Sequence, residues 1–280
     1  MVALAESNLR ASGQASLEVE LVHGESTVTS SYATNPMKLL TTCARGQCVQ
    51  TYLSSFGGGL VGGDETFLDV RLGPGTRCLV GTQASTKVYR NPKQRPCGHF
   101  TNARLGSASL FVLAPDPVQP FAESRYIQRQ QFHLAANASL VLLDWFSSGR
   151  SARGERWAFS HFATRNEIFI GGASALLDSL RLNPEDGDFN SRHRNGRFDC
   201  FATFLLVGPL LREVASRVLQ DVAAQPVLRR APVVRSASPF RDGVLLRVAG
   251  EQVETVARQF GQIFTQLTAL LGEDPWLRKG

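Results

Sequence analysis

The densest group of residues that could hold a ligand is a glycine-rich stretch, "FGGGLVGGDET" at residues 56–66. Glycines of this density often bring backbone N–H groups close to a phosphate. A Walker A loop needs Lys and then Ser or Thr directly after its last glycine. Here Gly63 is followed by Asp64 and Glu65, whose carboxylates would repel a phosphate. The sequence therefore argues against a nucleoside triphosphate site.

The same glycines also match a dinucleotide pattern, because Gly57, Gly59 and Gly62 have G-x-G-x-x-G spacing. That fingerprint requires a helix immediately afterwards, whose N-terminus meets the pyrophosphate. The next residues, "TFLDVRL" (66–72), alternate apolar and polar side chains, which predicts a strand. We therefore interpret the stretch as a turn between two strands, where backbone approaches backbone.

A nucleophilic serine is the next possibility, because Ser85 precedes Lys87 in "QASTKVYR" (83–90). The sequence lacks a G-x-S-x-G elbow, and no general base can be assigned to Ser85. An enzyme that binds a small molecule near Asp64, Lys87 and Tyr89 stays open as an alternative hypothesis. It requires these side chains to share one pocket.

Four carboxylates could act as acid, base or metal ligand, but they are far apart in sequence: Asp64, Asp144, Glu155 and Asp178. Asp144 is the most unusual, since it interrupts the apolar run "LVLLDWF" (140–146). A carboxylate in such a run must be paired or hydrogen-bonded, or its pKa rises.

Cysteine and histidine give no support for a tight metal site. The five cysteines and five histidines are scattered, without C-x-x-C or H-x-x-x-H spacing. An odd number of dispersed cysteines is typical of a reducing compartment. The first residues do not resemble a secretory signal, and no apolar run is long enough to cross a membrane. We expect a cytoplasmic protein with no membrane contact.

The positive charge indicates the class of partner. The net charge is +6 and the pI is about 9.4, but the arginines are spread along the whole chain. Nucleic-acid-binding proteins usually concentrate such residues in a stripe. Arginine also suits protein interfaces, because its planar fork pairs with carboxylates. We expect acidic protein partners; a basic nucleic-acid-binding module is the less favoured alternative.

Hydrophobic periodicity predicts a mainly β protein. Short alternating segments recur as far as residue 172, and residues 125–150 and 156–172 each predict two strands, around "AANA" (135–138) and "TRN" (164–166). Helical periodicity occurs only at residues 209–224 and 251–271, the latter with Gly272 at the C-cap position. No internal repeat is visible.

We expect residues 1–280 to form a single domain. Residues 1–15 carry no strong pattern, and we predict a flexible N-terminus there. The polar stretch "PEDGDFNSRHRNGR" (184–197) predicts a mobile loop.

Four blocks, in this order and spacing, resemble the urease accessory protein UreD (UreH) family: "GGGLVGGDETFLDVRLGPG", "QASTKVYR", "LDWFSSGRSARGERWAF" and "ALLDSLRL". The resemblance extends from about residue 16 to about residue 272. Asp116, in "LFVLAPDPVQPF" (110–121), departs from the family pattern. The resemblance implies a fold of two-layered, antiparallel or β-helix-like sheets with two C-terminal helices.

The resemblance also implies a function without catalysis. UreD proteins dock on apo-urease and bind UreF, which holds the GTPase UreG, and the assembly delivers nickel to the urease active site. No cofactor would be tightly bound; nickel would pass through in transit. The carboxylates predicted to line that path are Asp64, Asp144 and Asp178. The motif residues expected to have structural or interface roles are Gly58, Gly59, Gly62, Gly63, Ser85, Thr86, Lys87, Tyr89, Arg90, Gly149, Arg150, Gly154 and Glu155.

Overall fold

A computed structural model describes residues 13–42 and 47–276 of the chain. The strands in the described residues are β1 (Gly13–Val22), β2 (Glu25–Ala33), β3 (Met37–Thr41), β4 (Val49–Ser55), β5 (Gly59–Leu60), β6 (Glu65–Leu72), β7 (Arg77–Thr82), β8 (Thr86–Val88), β9 (Cys97–Leu105), β10 (Leu110–Ala114), β11 (Val118–Pro120), β12 (Arg125–Leu134), β13 (Ser139–Ser147), β14 (Gly149–Arg150), β15 (Glu155–Arg156), β16 (His161–Ile170), β17 (Ala173–Leu182), β18 (Cys200–Val207), β19 (Val233–Phe240) and β20 (Gly243–Gly250). The α-helices are α1 (Arg212–Ala224), α2 (Val253–Thr265) and α3 (Thr268–Leu271).

Most of these strands form two sheets that the chain visits in turn. A seven-stranded sheet has the order β17-β16-β12-β9-β6-β1-β2, and we call it the front sheet. A larger sheet, the back sheet, has the order β19-β20-β18-β13-β10-β7-β4-β3, with β5, β8 and β11 attached beside it. The chain passes from β4 in the back sheet to β6 in the front sheet, and repeats this passage through β7 and β9, then β10 and β12.

Each passage adds one coil of a β-solenoid, so equivalent strands of successive coils pair in parallel. Leu72 in β6 pairs with Leu105 in β9, which pairs with Leu134 in β12. The outermost strand pairs of both sheets are antiparallel. The expectation of a mainly β, two-layered fold is confirmed: the β-helix-like description fits the centre of both sheets and the antiparallel description fits their edges.

Apolar side chains fill the space between the sheets along much of their length. Val70 and Phe132 of the front sheet belong to the same buried cluster as Phe111 and Leu140 of the back sheet. A second cluster lies on the opposite face of the back sheet, where α1, α2 and α3 cover it. The back sheet is therefore buried on both faces, as expected for strands with continuous apolar runs.

The local predictions have mixed outcomes. The strands around "AANA" are confirmed as β12 and β13, although they lie in different sheets. The turn predicted at "TRN" is wrong, because residues 164–166 lie in the middle of β16. The first helix forms as predicted after a 3-10 turn at Pro209–Leu211, and the second divides into α2 and α3 and ends at Gly272, with φ of +84°.

The two segments predicted to be mobile are only partly covered by the structure. Residues 1–12 lie outside the described residues, whereas 13–15 begin β1. The segment 184–197 is described and buries Phe189. The guanidinium of Arg156 donates to the carbonyls of Gly196 (2.6 Å) and Phe198 (3.2 Å). Mobility of this segment stays a prediction. In the part of the chain that the structure describes, no helix combines the length and apolar character needed to cross a membrane.

Candidate functional site

A band of polar side chains crosses the inner face of the front sheet. Strand alternation directs every second residue inward, and parallel pairing aligns these residues into rows. Two adjacent rows are mainly polar: Thr66, His99, Gln128 and Thr164 form one, and Leu68, Thr101, Gln130, Asn166 and Asp178 form the other. The registered strands thus collect polar residues that are far apart in sequence.

Apolar rows border this band on both sides. The next row toward one end contains Val70, Phe132 and Ile168, all buried. The next row toward the other end contains Tyr126 and Phe162, whose ring centroids lie 5.6 Å apart. The polar band is therefore an interior feature rather than an exposed sheet end.

Asp144 of the back sheet faces this band and accepts hydrogen bonds from two amides. Gln128 Nε2 donates to Asp144 Oδ1 at 2.8 Å, and Asn166 Nδ2 donates to Asp144 Oδ2 at 2.7 Å. Tyr126 donates to Gln128 (2.9 Å), and Gln130 donates to Asn166 (2.8 Å). Two donor chains thus converge on one carboxylate, which fixes its orientation.

The electrostatics of the band follow from burial. Burial raises the pKa of Asp144, the hydrogen bonds from Asn166 and Gln128 oppose this rise, and the nearby charge of Asp178 adds to it. Burial lowers the pKa of His99 to about 4, so this imidazole is neutral near pH 7. His99 Nδ1 lies 2.9 Å from Thr66 Oγ1, and its Nε2 lies 3.3 Å from Thr101 Oγ1.

A cavity of about 300 Å³ lies between the sheets and reaches this band. Its inner lining includes His99, Gln128, Gln130 and Asp144. Toward the loops that connect the sheets, its lining comprises Ser54, Gln83, Ala84, Ser85, Thr86 and Asp116. Asp116 accepts from Thr82 Oγ1 at 2.8 Å. The cavity therefore contains a carboxylate in its interior and a second one nearer the loops.

The structure brings together only two of the three aspartates predicted to line a path. Asp178 pairs with Asn166 across the sheet, and its charge influences the pKa of Asp144. It also accepts from Arg247 at 2.8 Å. Because the Arg247 side chain is 59% exposed, this ion pair contributes about 0–1 kcal/mol.

Asp64 lies apart from them and is not among the residues lining the cavity. Its carboxylate accepts the N–H of Val61 at 2.8 Å, and its carbonyl accepts the N–H of Gly98 at 2.8 Å. Both contacts stabilise the turn that leads into β6. That any of the three aspartates contacts nickel stays a prediction.

The glycine-rich stretch is the corner at which the chain leaves the back sheet for the front sheet. A Cβ at Gly59 would collide with the carbonyl oxygen of Lys87, so β5 can pair with β8 only without a side chain there. Tyr89 donates to the carbonyl of Gly57 at 2.9 Å. The other predicted glycines, Gly58, Gly62 and Gly63, lie in the same corner. Gly59 thus allows backbone to approach backbone at this corner; the structural roles predicted for the other glycines stay predictions.

The third motif block forms an adjacent corner. Gly149 has φ of +112°, and a Cβ there would lie 2.6 Å from the carbonyl oxygen of Pro120. Arg150 pairs with Glu155 and lies over the ring of Phe121, 4.1 Å from its centroid. Gly154 ends the intervening 3-10 turn. These contacts hold the corner beside β11.

Arg90 makes a bidentate ion pair with Glu123, at 2.8 and 2.7 Å, next to this corner.

The side chains of the alternative enzyme hypothesis are not gathered in one pocket. Asp64 caps a turn, Tyr89 bonds to the glycine corner, and Lys87 is exposed. Nothing in this arrangement favours that hypothesis.

Among the residues that the structure describes, no three or more His, Cys, Asp or Glu side chains form a group able to hold a metal ion. Cys48, Cys78, Cys97 and Cys200 are buried and free, and burial raises the pKa of the Cys48, Cys97 and Cys200 thiols to about 12. The fifth cysteine, Cys43, lies outside the described residues.

Sequence reasoning identified Asp144 but missed the residues around it: Thr66, His99, Thr101, Asp116, Gln128, Gln130 and Asn166. A signal was present in β12, where "YIQRQQF" (126–132) alternates so that Tyr126, Gln128, Gln130 and Phe132 share one face. Two amides between two aromatic residues on a buried face predict a polar interior.

Comparisons with known proteins show the family of this chain. The sequence model described as UreD urease accessory protein matches residues 11–279. The chain is 45% identical to Urease accessory protein UreD of Sorangium cellulosum (strain So ce56), over 95% of this chain and 84% of that protein. It is 40% identical to Urease accessory protein UreD of Anaeromyxobacter sp. (strain Fw109-5), over 98% and 91%. It is 31% identical to Urease accessory protein D of Oryza sativa subsp. indica, over 95% and 96%. The chain belongs to the UreD urease accessory protein family.

Proposed function

We propose that this protein is a urease maturation scaffold that docks on apo-urease, binds UreF and, through UreF, the GTPase UreG, and helps pass nickel to the urease active site. Family membership supports the role in urease maturation. The observation that carries the nickel part is the carboxylate of Asp144, which lines a cavity of about 300 Å³ between the two sheets and accepts two amide hydrogen bonds there.

The chemistry of the cavity suits a cation in transit. The polar part of its lining combines the carboxylates of Asp116 and Asp144 with neutral amide and hydroxyl groups, such as those of Gln130 and Thr101. The rest of the lining is apolar, with Leu53, Leu113 and Val118 among its residues. Oxygen ligands bind divalent first-row metals more weakly than thiolate or imidazole clusters do. A few carboxylates among neutral oxygens would attract Ni²⁺ and still release it.

The hydrogen bonds around Asp144 support the same proposal. Each carboxylate oxygen accepts one amide hydrogen and keeps further lone-pair capacity. No ion pair within the described residues neutralises Asp144. A cation that enters the cavity would therefore meet a fixed, partly unsatisfied negative charge.

Co-purification tests the scaffold role. The full chain, carrying an affinity tag, is co-expressed with the urease structural subunits, UreF and UreG, and isolated through the tag. We expect UreF and the urease subunits to remain bound, whereas the tag alone should retain neither. If the full chain retains neither, the proposed function is wrong. A second measurement compares the nickel content of urease from cells with and without this chain. Equal nickel contents would contradict the nickel role.

A further inference from the structure

The outer face of the front sheet has no cover in the part of the chain that the structure describes. The helices contact β18, β19 and β20 and so cover the back sheet. A sheet face that meets water is normally lined by polar residues.

This face carries aromatic side chains in ordered pairs. The rings of Phe67 and Phe100 stack with centroids 4.9 Å apart, and those of His133 and Phe169 stack at 4.8 Å. Phe67 is 37% exposed and Tyr32, at the edge of the same face, is 56% exposed. Aromatic surface that stays in water is a common sign of an interaction site.

An open recess of about 850 Å³ lies over the rings of Phe67 and Phe100, between Tyr32 and the arginines of β12 and β16. Its floor includes a row of side-chain hydrogen bonds. Asn102 donates to Asp69 at 2.8 Å, and Gln131 donates to Glu167 at 2.8 Å. The recess is built on the backbone of a sheet, so its shape is preformed.

Some arginines on this face form ion pairs with carboxylates, and others do not. Arg71 lies 3.2 Å from Glu18 and 3.3 Å from Asp69, and Arg165 pairs with Glu167 at 2.6 Å. Arg104 in β9 and Arg129 in β12 are exposed and form no ion pair with any described residue. The hydrogen bond from Arg165 and, to a smaller extent, the charge of Arg129 lower the pKa of Glu167. The two central strands therefore present positive charge outside the ion pairs, beside the aromatic floor.

We propose that the outer face of the front sheet is a docking surface for a folded protein whose contacting surface is acidic and carries an apolar side chain for the recess. The front sheet offers roughly 30 by 30 Å, from strands about 4.8 Å apart and up to ten residues long. A standard protein interface buries about 800 Å² on each partner. Aromatic residues and arginine are also the types that contribute most binding energy in such interfaces.

Nucleic acid fits this face less well. Glu18, Asp69 and Glu167 lie among the arginines and would repel the evenly spaced phosphates of a nucleic acid, whereas a protein can place its carboxylates opposite Arg104 and Arg129 alone. The Phe67 and Phe100 rings already stack on each other, at 17° between their planes, which leaves less ring surface for bases.

The inference rests on the proposed function in one respect: the acidic partner belongs to the urease maturation assembly. The experiment measures binding of the full chain to purified apo-urease and, separately, to purified UreF, at low and high salt. The test variant is F67S/R129E, and Arg129→Glu alone serves if the double variant melts at a lower temperature than wild type. The matched control is V227S/R229E in the loop before β19, where Val227 is 79% exposed.

We expect the test variant to bind one of the two proteins roughly tenfold or more weakly than wild type and to show a smaller salt dependence. The control should bind both like wild type. If test and control variants bind both proteins as wild type does, this inference is wrong while the proposed function stands. If wild type binds neither apo-urease nor UreF, both this inference and the proposed function are wrong. If wild type instead binds a single-stranded RNA oligonucleotide and F67S/R129E does not, the face is a nucleic-acid site and the inference is also wrong.

Discussion

The interior between the two sheets contains an apolar region and a polar region on the same strands. One row across the front sheet places Val70, Phe132 and Ile168 in a closely packed cluster, while the adjacent inward row places Thr101 and Gln130 beside a cavity. The backbone is the same in both rows, since both lie within one parallel ladder. The difference lies entirely in the side chains.

This contrast distinguishes the side chains that stabilise the fold from those that are available for a function. Burying apolar side chains between the two sheets stabilises the fold by an amount that increases with the buried area. Buried amides and carboxylates contribute little net stability even when they are fully hydrogen-bonded. A polar band in the middle of an apolar interior is therefore better explained by a function than by folding.

The largest expected effect comes from the apolar row. Phe132→Ala should lower the free energy of unfolding by roughly 3–5 kcal/mol, because it removes a fully buried ring and leaves a cavity. Urea denaturation measures this change. His133→Ala, at the next position on the exposed face, is the control and should change stability by less than about 1 kcal/mol. Equal losses would contradict the assignment of the two faces of β12.

A pH-dependent effect should come next. Burial lowers the pKa of His99 from 6.5 to about 4, so the unfolded chain takes up this proton at higher pH than the native state does. Stability should therefore fall as the pH drops from about 6.5 to about 4, by as much as roughly 3 kcal/mol relative to His99→Gln, which cannot titrate. Urea denaturation of both proteins across this range measures the difference. Parallel pH profiles would show that His99 is not buried as described.

A smaller effect is expected within the polar band. Asn166→Ala removes one of the two amides that donate to Asp144 and should cost about 1–3 kcal/mol, since a buried acceptor loses a partner. Arg165→Ala, one residue earlier on the outer face, is the matched control and should cost less than about 1 kcal/mol. A loss at Asn166 as large as that of Phe132→Ala would mean that the polar band is as important for folding as the apolar row.

The sequence was sufficient to predict the class of fold but not its connections. Period-two alternation predicted strands, and proline and glycine signals located the helices. Alternation alone does not say which strands pair, so β12 and β13 could be predicted as neighbours along the chain but not assigned to different sheets. The solenoid repeat is hidden because its corners differ: one contains the glycine stretch, another Gly149 and Arg150.

The site was predictable only where a residue conflicted with its surroundings. Asp144 stood out as a charge in an apolar run, and it is hydrogen-bonded with a raised pKa, as such a position requires. Nothing in the sequence indicated that Asn166 belongs to the site, because "TRN" resembles a turn. Only the pairing of β16 with its neighbours in the front sheet brings this residue to Asp144. Asp64 was predicted to lie on the same path as Asp144 because the sequence does not show which residues pair across neighbouring strands.

The central claim is that Asp144 serves a passing cation rather than the fold. The most direct test measures the nickel content of urease purified after co-expression with this chain carrying Asp144→Ala, alongside wild type and the exposed control Asp186→Ala. We predict that Asp144→Ala keeps the complex with UreF and urease while the nickel per urease active site falls well below that of wild type and control. Wild-type nickel content with an intact complex would contradict the account.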